Sequence, residues 1–256
     1  MERVAVSDGW LAAERSGAGR PLLCLHGGPG IDSSSIRVPG ILGLADFGLQ
    51  VVLFDQRGHG RSSALPNEGY THERWALDVR ELTAFFHWST YALLGHSYGG
   101  FIALEHAIRW PEAVTYLVLI GTSAGPVSVP FPPVSSAEAL RQLMRRQWPD
   151  MFAGADKHWP VFDQLQFTPS PFNAAFQREL PRYDLRGKVG TLTMPVLLVV
   201  GEHDWYREPM QWLADHLPRS ELHVLSGVRH VPFLEAPEEF LESVRGFFTR
   251  TASAAA

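Results

Sequence analysis

The chain has 256 residues, of which 45% are hydrophobic and 19% are charged. A chain of this length can form one α/β domain and bury about 70–75% of the surface that it exposes when unfolded. Its net charge of −5, without a basic run, argues against a nucleic-acid partner or an anionic membrane surface. The single cysteine, Cys24, excludes an intrachain disulfide, and its apolar neighbours predict a buried thiol.

The sequence predicts neither a signal peptide nor a membrane-spanning helix. The first eight residues lack the apolar run of a signal peptide, and nowhere do about 18 apolar residues follow one another. We therefore expect a cytoplasmic protein that does not act on or in a membrane.

Apolar runs alternate with helical patterns along the chain. Helices are predicted between Thr71 and His87, after Ser97, and near the C-terminus around 240–248. This alternation predicts an α/β fold with a mostly parallel central sheet flanked by helices. Near-continuous apolar runs are typical of strands that are covered on both faces. The predicted strands are 22–25, 51–54, 92–94, 117–120 and 196–200.

The segment 122–188 interrupts this alternation and is rich in proline and aromatic residues. Ser135 and Glu138 have the spacing of a capping box before an apolar helix. Because the segment has too much apolar surface to remain solvated, we expect a small helical cap. The cap would be inserted in a core made of residues 1–121 and 189–256, and would cover the sheet edge where α/β proteins bind ligands.

The sequence Gly95-His96-Ser97-Tyr98-Gly99 follows one predicted strand and opens one predicted helix. In this setting, G-x-S-x-G is typical of a nucleophile elbow, in which the serine occupies a strained turn. The helix N-terminus also directs unpaired backbone N–H groups toward the reacting centre. The alternative is a glycine-rich turn with an incidental serine. We predict that Ser97 is a nucleophile.

A serine nucleophile requires a base that removes its proton and an acid that orients this base. His230 lies between the last strand pattern and the last helix and is the predicted base, with His203 as the alternative. Asp204 follows the strand pattern 196–200 and is the predicted acid, with Glu202 as its nearest rival. The resulting chain order of Ser, Asp and His is the order of α/β hydrolases.

A second glycine-rich sequence, His26-Gly27-Gly28-Pro29-Gly30, follows the first apolar run. Glycines let the backbone approach a substrate oxygen. We therefore predict that the N–H groups of Gly28 and Tyr98 form an oxyanion hole, in which each donor is usually worth about 3–4 kcal/mol. A phosphate-binding loop is disfavoured because the Lys-Ser/Thr pair of a P-loop is absent. A third block, 55–62, is interpreted as a structural turn beneath the site.

Taken in order, the motifs HGGPG, DQRGHGRS, GHSYGG, GEHD and GVRH resemble those of the α/β-hydrolase superfamily. HGGPG together with DQRG-x-G-x-S is similar to the prolyl aminopeptidase (proline iminopeptidase) branch, whose members remove an N-terminal proline from peptides. Two features depart from that branch. Tyr98 stands where a tryptophan commonly follows the nucleophile, and the cap is short.

The resemblance implies that acidic cap residues bind the α-amino group of the substrate and that aromatic residues line its pocket. The carboxylate candidates are Glu138, Asp163 and Glu179. The aromatic candidates are Trp148, Trp159 and Phe162.

The sequence predicts a serine hydrolase that cleaves a small amide or ester through an acyl-enzyme, and the first interpretation is a proline iminopeptidase-like aminopeptidase that acts on a short peptide. The alternative is a carboxylesterase or lactonase that acts on a small apolar ester. A non-catalytic ligand-binding protein of the same fold is a third interpretation, although every catalytic position is filled. No cofactor or metal is expected because the histidines lack metal-ligand spacing. The sequence leaves the oligomeric state open.

Overall fold

The computed structural model describes residues 1–66, 69–127, 129 and 131–253. An eight-stranded sheet lies at its centre. The strands are β1 (Glu2–Val6), β2 (Gly9–Ser16), β3 (Arg20–Leu25), β4 (Leu49–Phe54), β5 (Tyr91–His96), β6 (Val114–Ile120), β7 (Val196–Gly201) and β8 (Ser220–Leu225). Their spatial order is β1-β2-β4-β3-β5-β6-β7-β8. Strand β2 is antiparallel to β1 and β4, and all the other neighbours are parallel.

Two of the central strands, β5 and β7, are buried along their whole length. All six residues of β5 and all six of β7 are buried, as expected for a sheet with helices on both faces. The five predicted apolar runs lie within β3 to β7, which confirms the α/β prediction. The β1–β2 hairpin was not predicted. It turns at Asp8, whose φ is 61°, and its strands mix charged with apolar residues.

The described part of the chain forms ten α-helices. They are α1 (Pro39–Leu42), α2 (His72–Phe85), α3 (Tyr98–Arg109), α4 (Ala137–Gln147), α5 (Trp159–Phe162), α6 (Pro169–Ala174), α7 (Leu180–Arg182), α8 (Arg207–His216), α9 (Pro232–Glu235) and α10 (Pro237–Ser253). Helices α2, α3 and α8 contribute to one hydrophobic core, and α1, α9 and α10 contribute to the other. None of the helices in the described ranges has the length and apolarity needed to cross a membrane.

The chain between β6 and β7 carries α4 to α7, joined by short 3-10 turns and one π-helical turn. Helix α4 is capped by Ser136, whose hydroxyl accepts a hydrogen bond from Ala139 N at 3.1 Å. The predicted capping box of Ser135 and Glu138 is therefore wrong by one residue. Because the residue three positions after the true cap is Ala139, no reciprocal bond forms, and Glu138 instead accepts from Gln142.

Backbone hydrogen bonds fasten this segment to two loops at the C-terminal edge of the sheet. Thr168 N donates to Gly30 O at 2.9 Å, and Gln166 N donates to the Asp32 carboxylate at 3.0 Å. At a second point, His230 N donates to Met151 O at 3.0 Å. The segment therefore restrains the loops that carry the candidate oxyanion hole and the candidate base.

Candidate active site

Ser97 occupies a strained turn between β5 and α3. Its φ of 50° and ψ of −117° lie in a region that residues other than glycine rarely adopt. Two backbone bonds hold the turn: Ser97 N donates to Ile120 O at 2.8 Å, and Gly100 N donates to Ser97 O at 2.9 Å. A Cβ atom at Gly99 would lie 2.3 Å from Leu25 O, so the turn tolerates only glycine there. Strain of this kind is typical of functional sites.

A buried hydrogen-bonded contact joins the histidine and the acid. His230 Nδ1 lies 3.0 and 3.1 Å from the two oxygens of Asp204, and both side chains are almost fully buried. Asp204 Oδ1 also accepts from Tyr206 N at 2.9 Å, which fixes the carboxylate. Because an ionised carboxylate is only an acceptor, Nδ1 is the protonated nitrogen of the neutral ring. Nε2 is then an acceptor, as a base for a serine hydroxyl must be.

Gly121, directly after β6, makes room for this pair. Its φ is +51°, and a Cβ atom there would lie 2.6 Å from Asp204 Oδ2 and 3.1 Å from His230 Nδ1. Any larger residue at this position would displace the carboxylate or the imidazole. Because Gly121 has no side chain at the end of β6, Asp204, which follows β7, has room to contact His230.

Ser97 and His230 line one cavity of about 320 Å³. Its walls are mainly apolar and include Phe172 and Phe176 from the α6 region. Among the described residues that line it, Asp150 is the single carboxylate. The reacting groups therefore face a small space that suits an apolar substrate.

Both predicted oxyanion donors adjoin Ser97, since Gly28 lines the same cavity and Tyr98 is the next residue in the chain. Gly28 lines the cavity, has a φ of +129° and precedes a cis peptide bond to Pro29. Tyr98 is the first residue of α3, so its N–H has no acceptor within the helix. Both N–H groups are thus candidates for binding a negatively charged oxygen beside Ser97.

The loop of Gly28 is supported from below by the 55–62 block. His59 Nε2 accepts from Gly30 N at 3.0 Å, and Gln56 Nε2 donates to His26 O at 2.8 Å. Burial lowers the pKa of His59 to about 3, which keeps the ring neutral and able to accept. The block therefore positions the glycine loop.

Asp55 anchors the same block. Burial alone would raise the pKa of Asp55, but hydrogen bonds from Arg61 and Ser33 outweigh it and lower the pKa to about 2. The carboxylate is thus ionised at neutral pH. It holds both the 55–62 block and the start of the Ser33–Ser35 turn after the glycine loop.

The alternative base and acid lie at the surface. The His203 side chain is 57% exposed and lies 4.0 Å from Glu202. Glu202 accepts from the Ser226 hydroxyl and from Gly227 N, which holds it in a surface turn. Neither residue lines the cavity. Across residues 1–66, 69–127, 129 and 131–253, no three side chains of His, Cys, Asp or Glu are arranged to hold a metal ion.

None of the three carboxylates proposed for substrate binding lines the cavity. Glu138 is exposed and bonds to Gln142. Asp163 forms an exposed ion pair with Arg141 at 3.0 Å. Glu179 accepts from His72 N at 2.9 Å, at the N-terminus of α2. Each carboxylate thus has a polar partner away from the cavity.

The three aromatic candidates pack against one another. Trp148 and Phe162 are buried, Trp159 is half-buried, and their ring centroids lie between 5.1 and 6.4 Å apart. They form the interior of the segment between β6 and β7 and do not line the cavity.

Sequence reasoning did not assign seven of the polar or aromatic residues that line the cavity to the site, and two of these, Asp150 and Trp205, bear on the chemistry. Asp150 lies in the turn Trp148–Met151 after α4, where no motif marks it. Trp205 directly follows Asp204, so its proximity to the predicted acid was a usable signal.

Sequence comparisons identify several proteins that are similar to this chain. RutD of Cronobacter turicensis, a carbamate hydrolase by provisional assignment, is 30% identical over 212 residues, which cover 75% of this chain and 78% of that protein. The proline iminopeptidase of Saccharolobus solfataricus is 24% identical, with 93% of this chain and 87% of that protein covered.

A similar structure is the enol-lactonase of Burkholderia xenovorans, with a TM-score of 0.83 and 24% identity. The match covers 97% of this chain and 100% of that one. The family model described as alpha/beta hydrolase fold matches residues 20–191. On this match, and on the eight-stranded, mostly parallel sheet, the chain belongs to the α/β hydrolase fold family.

Proposed function

We propose that the protein is a serine hydrolase that cleaves small apolar carboxylic esters through an acyl-enzyme. The observation that carries this proposal is the shared, mainly apolar cavity of Ser97 and His230, with Asp204 bonded to Nδ1 of the imidazole. The membership in a hydrolase family supports it.

Ser97 is the nucleophile of the proposed reaction. As its oxygen attacks the ester carbonyl, His230 Nε2 takes the hydroxyl proton, and Asp204 stabilises the imidazolium that forms. The N–H groups of Gly28 and Tyr98 stabilise the oxyanion. The tetrahedral intermediate then expels the alcohol, which receives the proton from His230.

Water completes the cycle. His230 removes a proton from a water molecule as its oxygen attacks the acyl carbonyl of Ser97. The second tetrahedral intermediate releases the carboxylic acid, and the serine oxygen regains its proton from the imidazolium. No cofactor takes part in either half of this reaction.

The composition of the cavity favours an ester over a peptide. A free N-terminal peptide brings an ammonium group into the site, and a buried charge is costly unless carboxylates pair with it. Met144, Phe172 and Phe176 contribute apolar surface, whereas Asp150 provides the single carboxylate among the described lining residues.

An aminopeptidase is the second candidate, and Asp150 is the observation in its favour. Its carboxylate lies on the cavity wall, where it would pair with an α-ammonium group. Similarity to a proline iminopeptidase also supports it. In this case Asp150 would set the specificity for free N-termini.

We expect 4-nitrophenyl butyrate to be hydrolysed at least a hundredfold faster, in kcat/KM, than proline 4-nitroanilide. The physical reason is that the butyryl group is apolar and uncharged, like most of the cavity wall. Initial rates on both substrates, followed by release of the chromophore, measure the ratio. Ser97→Ala should remove both activities, because no other group attacks the carbonyl.

The Asp150→Asn variant separates the two candidates. For an aminopeptidase, loss of the charge should raise KM for proline 4-nitroanilide about 10- to 100-fold, the usual range for a charge-assisted hydrogen bond. Efficient anilide turnover with this response would replace the ester proposal by the aminopeptidase. Turnover that persists in Ser97→Ala would contradict both.

A further inference from the structure

Three aromatic side chains surround the imidazole of His230. The Trp205 ring is stacked on it, with centroids 4.2 Å apart and an interplanar angle of 28°. Tyr206 lies at 5.7 Å and 30°, and His96 lies at 4.9 Å and 44°. Of the three, Trp205 has the shortest separation from the imidazole and the smallest angle to it.

Trp205 holds this place although it is not a core residue. It is 52% exposed, which is unusual for a large apolar side chain, and it lines the same cavity as Ser97. Hydrophobic burial therefore does not account for its position. Its contact with His230, which is only 1% exposed, indicates a role connected with the base.

The face of an indole ring carries negative partial charge and attracts a cation within about 6 Å of its centroid. Neutral imidazole gains little from this face, whereas imidazolium gains more. His230 becomes imidazolium only while Ser97 attacks and while water attacks the acyl-enzyme. A stacked indole thus stabilises the charged form of the base, and this difference is what accelerates a reaction.

We propose that Trp205 is a positioning residue for the base, which stabilises the imidazolium form of His230 and holds its ring plane. This inference rests on the proposed function, because His230 must gain a proton during the reaction.

The other groups that face His230 allow this effect. The Asp204 carboxylate lies 3.0 Å from Nδ1 of the ring. Burial, with a smaller effect of the charge on His230, lowers the pKa of His96 well below its usual value, so His96 is neutral and donates Nε2–H to His230 O at 3.0 Å. Burial raises the pKa of the Tyr206 phenol, which stays uncharged. Asp150 also lines the cavity. The ring thus meets no other cation among these groups.

The first test follows the protonation of His230 directly, by NMR of its Cε1–H signal between pH 4 and 9. The signal is assigned among the eleven histidines by its loss in His230→Gln. In Trp205→Leu, which keeps an apolar cover but no π face, the midpoint should move about 0.5 pH unit lower. In Trp205→Phe, at least half of this shift should be recovered.

Trp212→Leu is the matched control. Trp212 stacks on His216 at 3.9 Å and 16°, and neither residue lines the cavity. Its replacement should leave the His230 midpoint unchanged.

The second test is kinetic. In Trp205→Leu, kcat/KM for the ester at its plateau should fall about two- to fivefold. The acid limb of its pH profile should move in the same direction as the NMR midpoint. A role confined to substrate binding would raise KM alone and leave both midpoints in place.

The outcomes separate the two proposals. An unmoved NMR midpoint in Trp205→Leu, or equal shifts in the Leu and Phe variants, would overturn the role of Trp205 even if hydrolysis depends on Ser97. A shifted NMR midpoint supports the effect of Trp205 on His230 whether or not the protein hydrolyses the ester, because the NMR titration does not depend on catalysis. If hydrolysis then persisted in Ser97→Ala, the proposed function alone would fail.

Discussion

Replacement of Asp204 by asparagine is expected to lower kcat for ester hydrolysis by about 10⁴-fold, with the fold intact. The size is typical for loss of the orienting acid in a Ser-His-Asp triad. The chain offers a specific reason for it. Tyr206 N donates to Asp204 Oδ1 at 2.9 Å, so the carbonyl oxygen of the asparagine would take this place.

The asparagine amide group would then face His230 Nδ1 as a donor. The imidazole would respond by carrying its proton on Nε2, and Nε2 could no longer accept the proton of Ser97. Removal of the negative charge would also leave the imidazolium without its partner at 3.0 Å. Steady-state kinetics on 4-nitrophenyl butyrate, with circular dichroism as a check on folding, measure the effect.

Glu202→Gln is the matched control. Glu202 lies two residues before Asp204 but bonds to Ser226 and Gly227 at the surface. Its kcat should stay within twofold of the wild-type value. The assignment of the acid would be wrong if Asp204→Asn kept more than a tenth of the wild-type kcat. It would also be wrong if Glu202→Gln lowered kcat by as large a factor as Asp204→Asn.

The free energy of unfolding is expected to fall steeply as the pH decreases below about 6.5. Burial lowers the pKa of His59 and of His72 to about 3, and that of His106 to about 4. In the unfolded chain, each of these histidines titrates near 6.5. Between pH 6.5 and 4, the unfolded state therefore binds about three more protons than the folded state.

The sign follows from this difference. Stability rises with pH wherever the unfolded state binds more protons, at about 1.4 kcal/mol per pH unit for each group. These three histidines give about 4 kcal/mol per unit, and His26 and His96, whose pKa values burial also lowers, add to it with the same sign. A domain with a usual stability of about 5–15 kcal/mol would therefore unfold between about pH 5 and pH 3. Above pH 6.5, these histidines add no pH dependence.

Urea unfolding at a series of pH values measures this slope. In His72→Phe the slope should decrease by about 1.4 kcal/mol per pH unit, because one of the buried neutral histidines is gone. Trp75, Tyr98 and Phe101 already surround this ring, so phenylalanine suits the site. His203→Gln, at an exposed histidine, should leave the slope unchanged. A flat profile from pH 6.5 to 5 would contradict the neutral, buried state of these histidines.

The central sheet could be predicted because its strands are continuous apolar runs, and few other structures bury such runs on both faces. The β1–β2 hairpin lacks this signal, since charged residues interrupt its apolar ones: Glu2 and Arg3 begin β1, and Glu14 and Arg15 lie near the end of β2. The N-cap residue of α4 shows that sequence patterns do not fix the boundary of a helix to a single residue. Ser135 and Ser136 are neighbours of the same type, and only the backbone decides which one accepts from the helix.

The arrangement of Ser97, Asp204 and His230 could be proposed from sequence because each follows a strand whose end lies at one sheet edge. The cavity wall could not. Phe162 and Phe172 are aromatic residues of the same segment, yet the first fills its interior and the second lines the cavity. Which face each presents depends on contacts between distant parts of the chain. Glu179 illustrates this, because its backbone partner is 107 residues away.

The central claim is that Ser97 is a nucleophile activated by His230. A fluorophosphonate tests it most directly, because the reagent reacts with activated serines without regard to substrate preference. Mass spectrometry of the intact and digested protein measures the stoichiometry and the site of labelling.

We predict one label per chain, on Ser97, with none on Ser97→Ala and at least a hundredfold slower labelling of His230→Gln. Labelling of a different serine, or undiminished labelling of Ser97→Ala, would contradict the account.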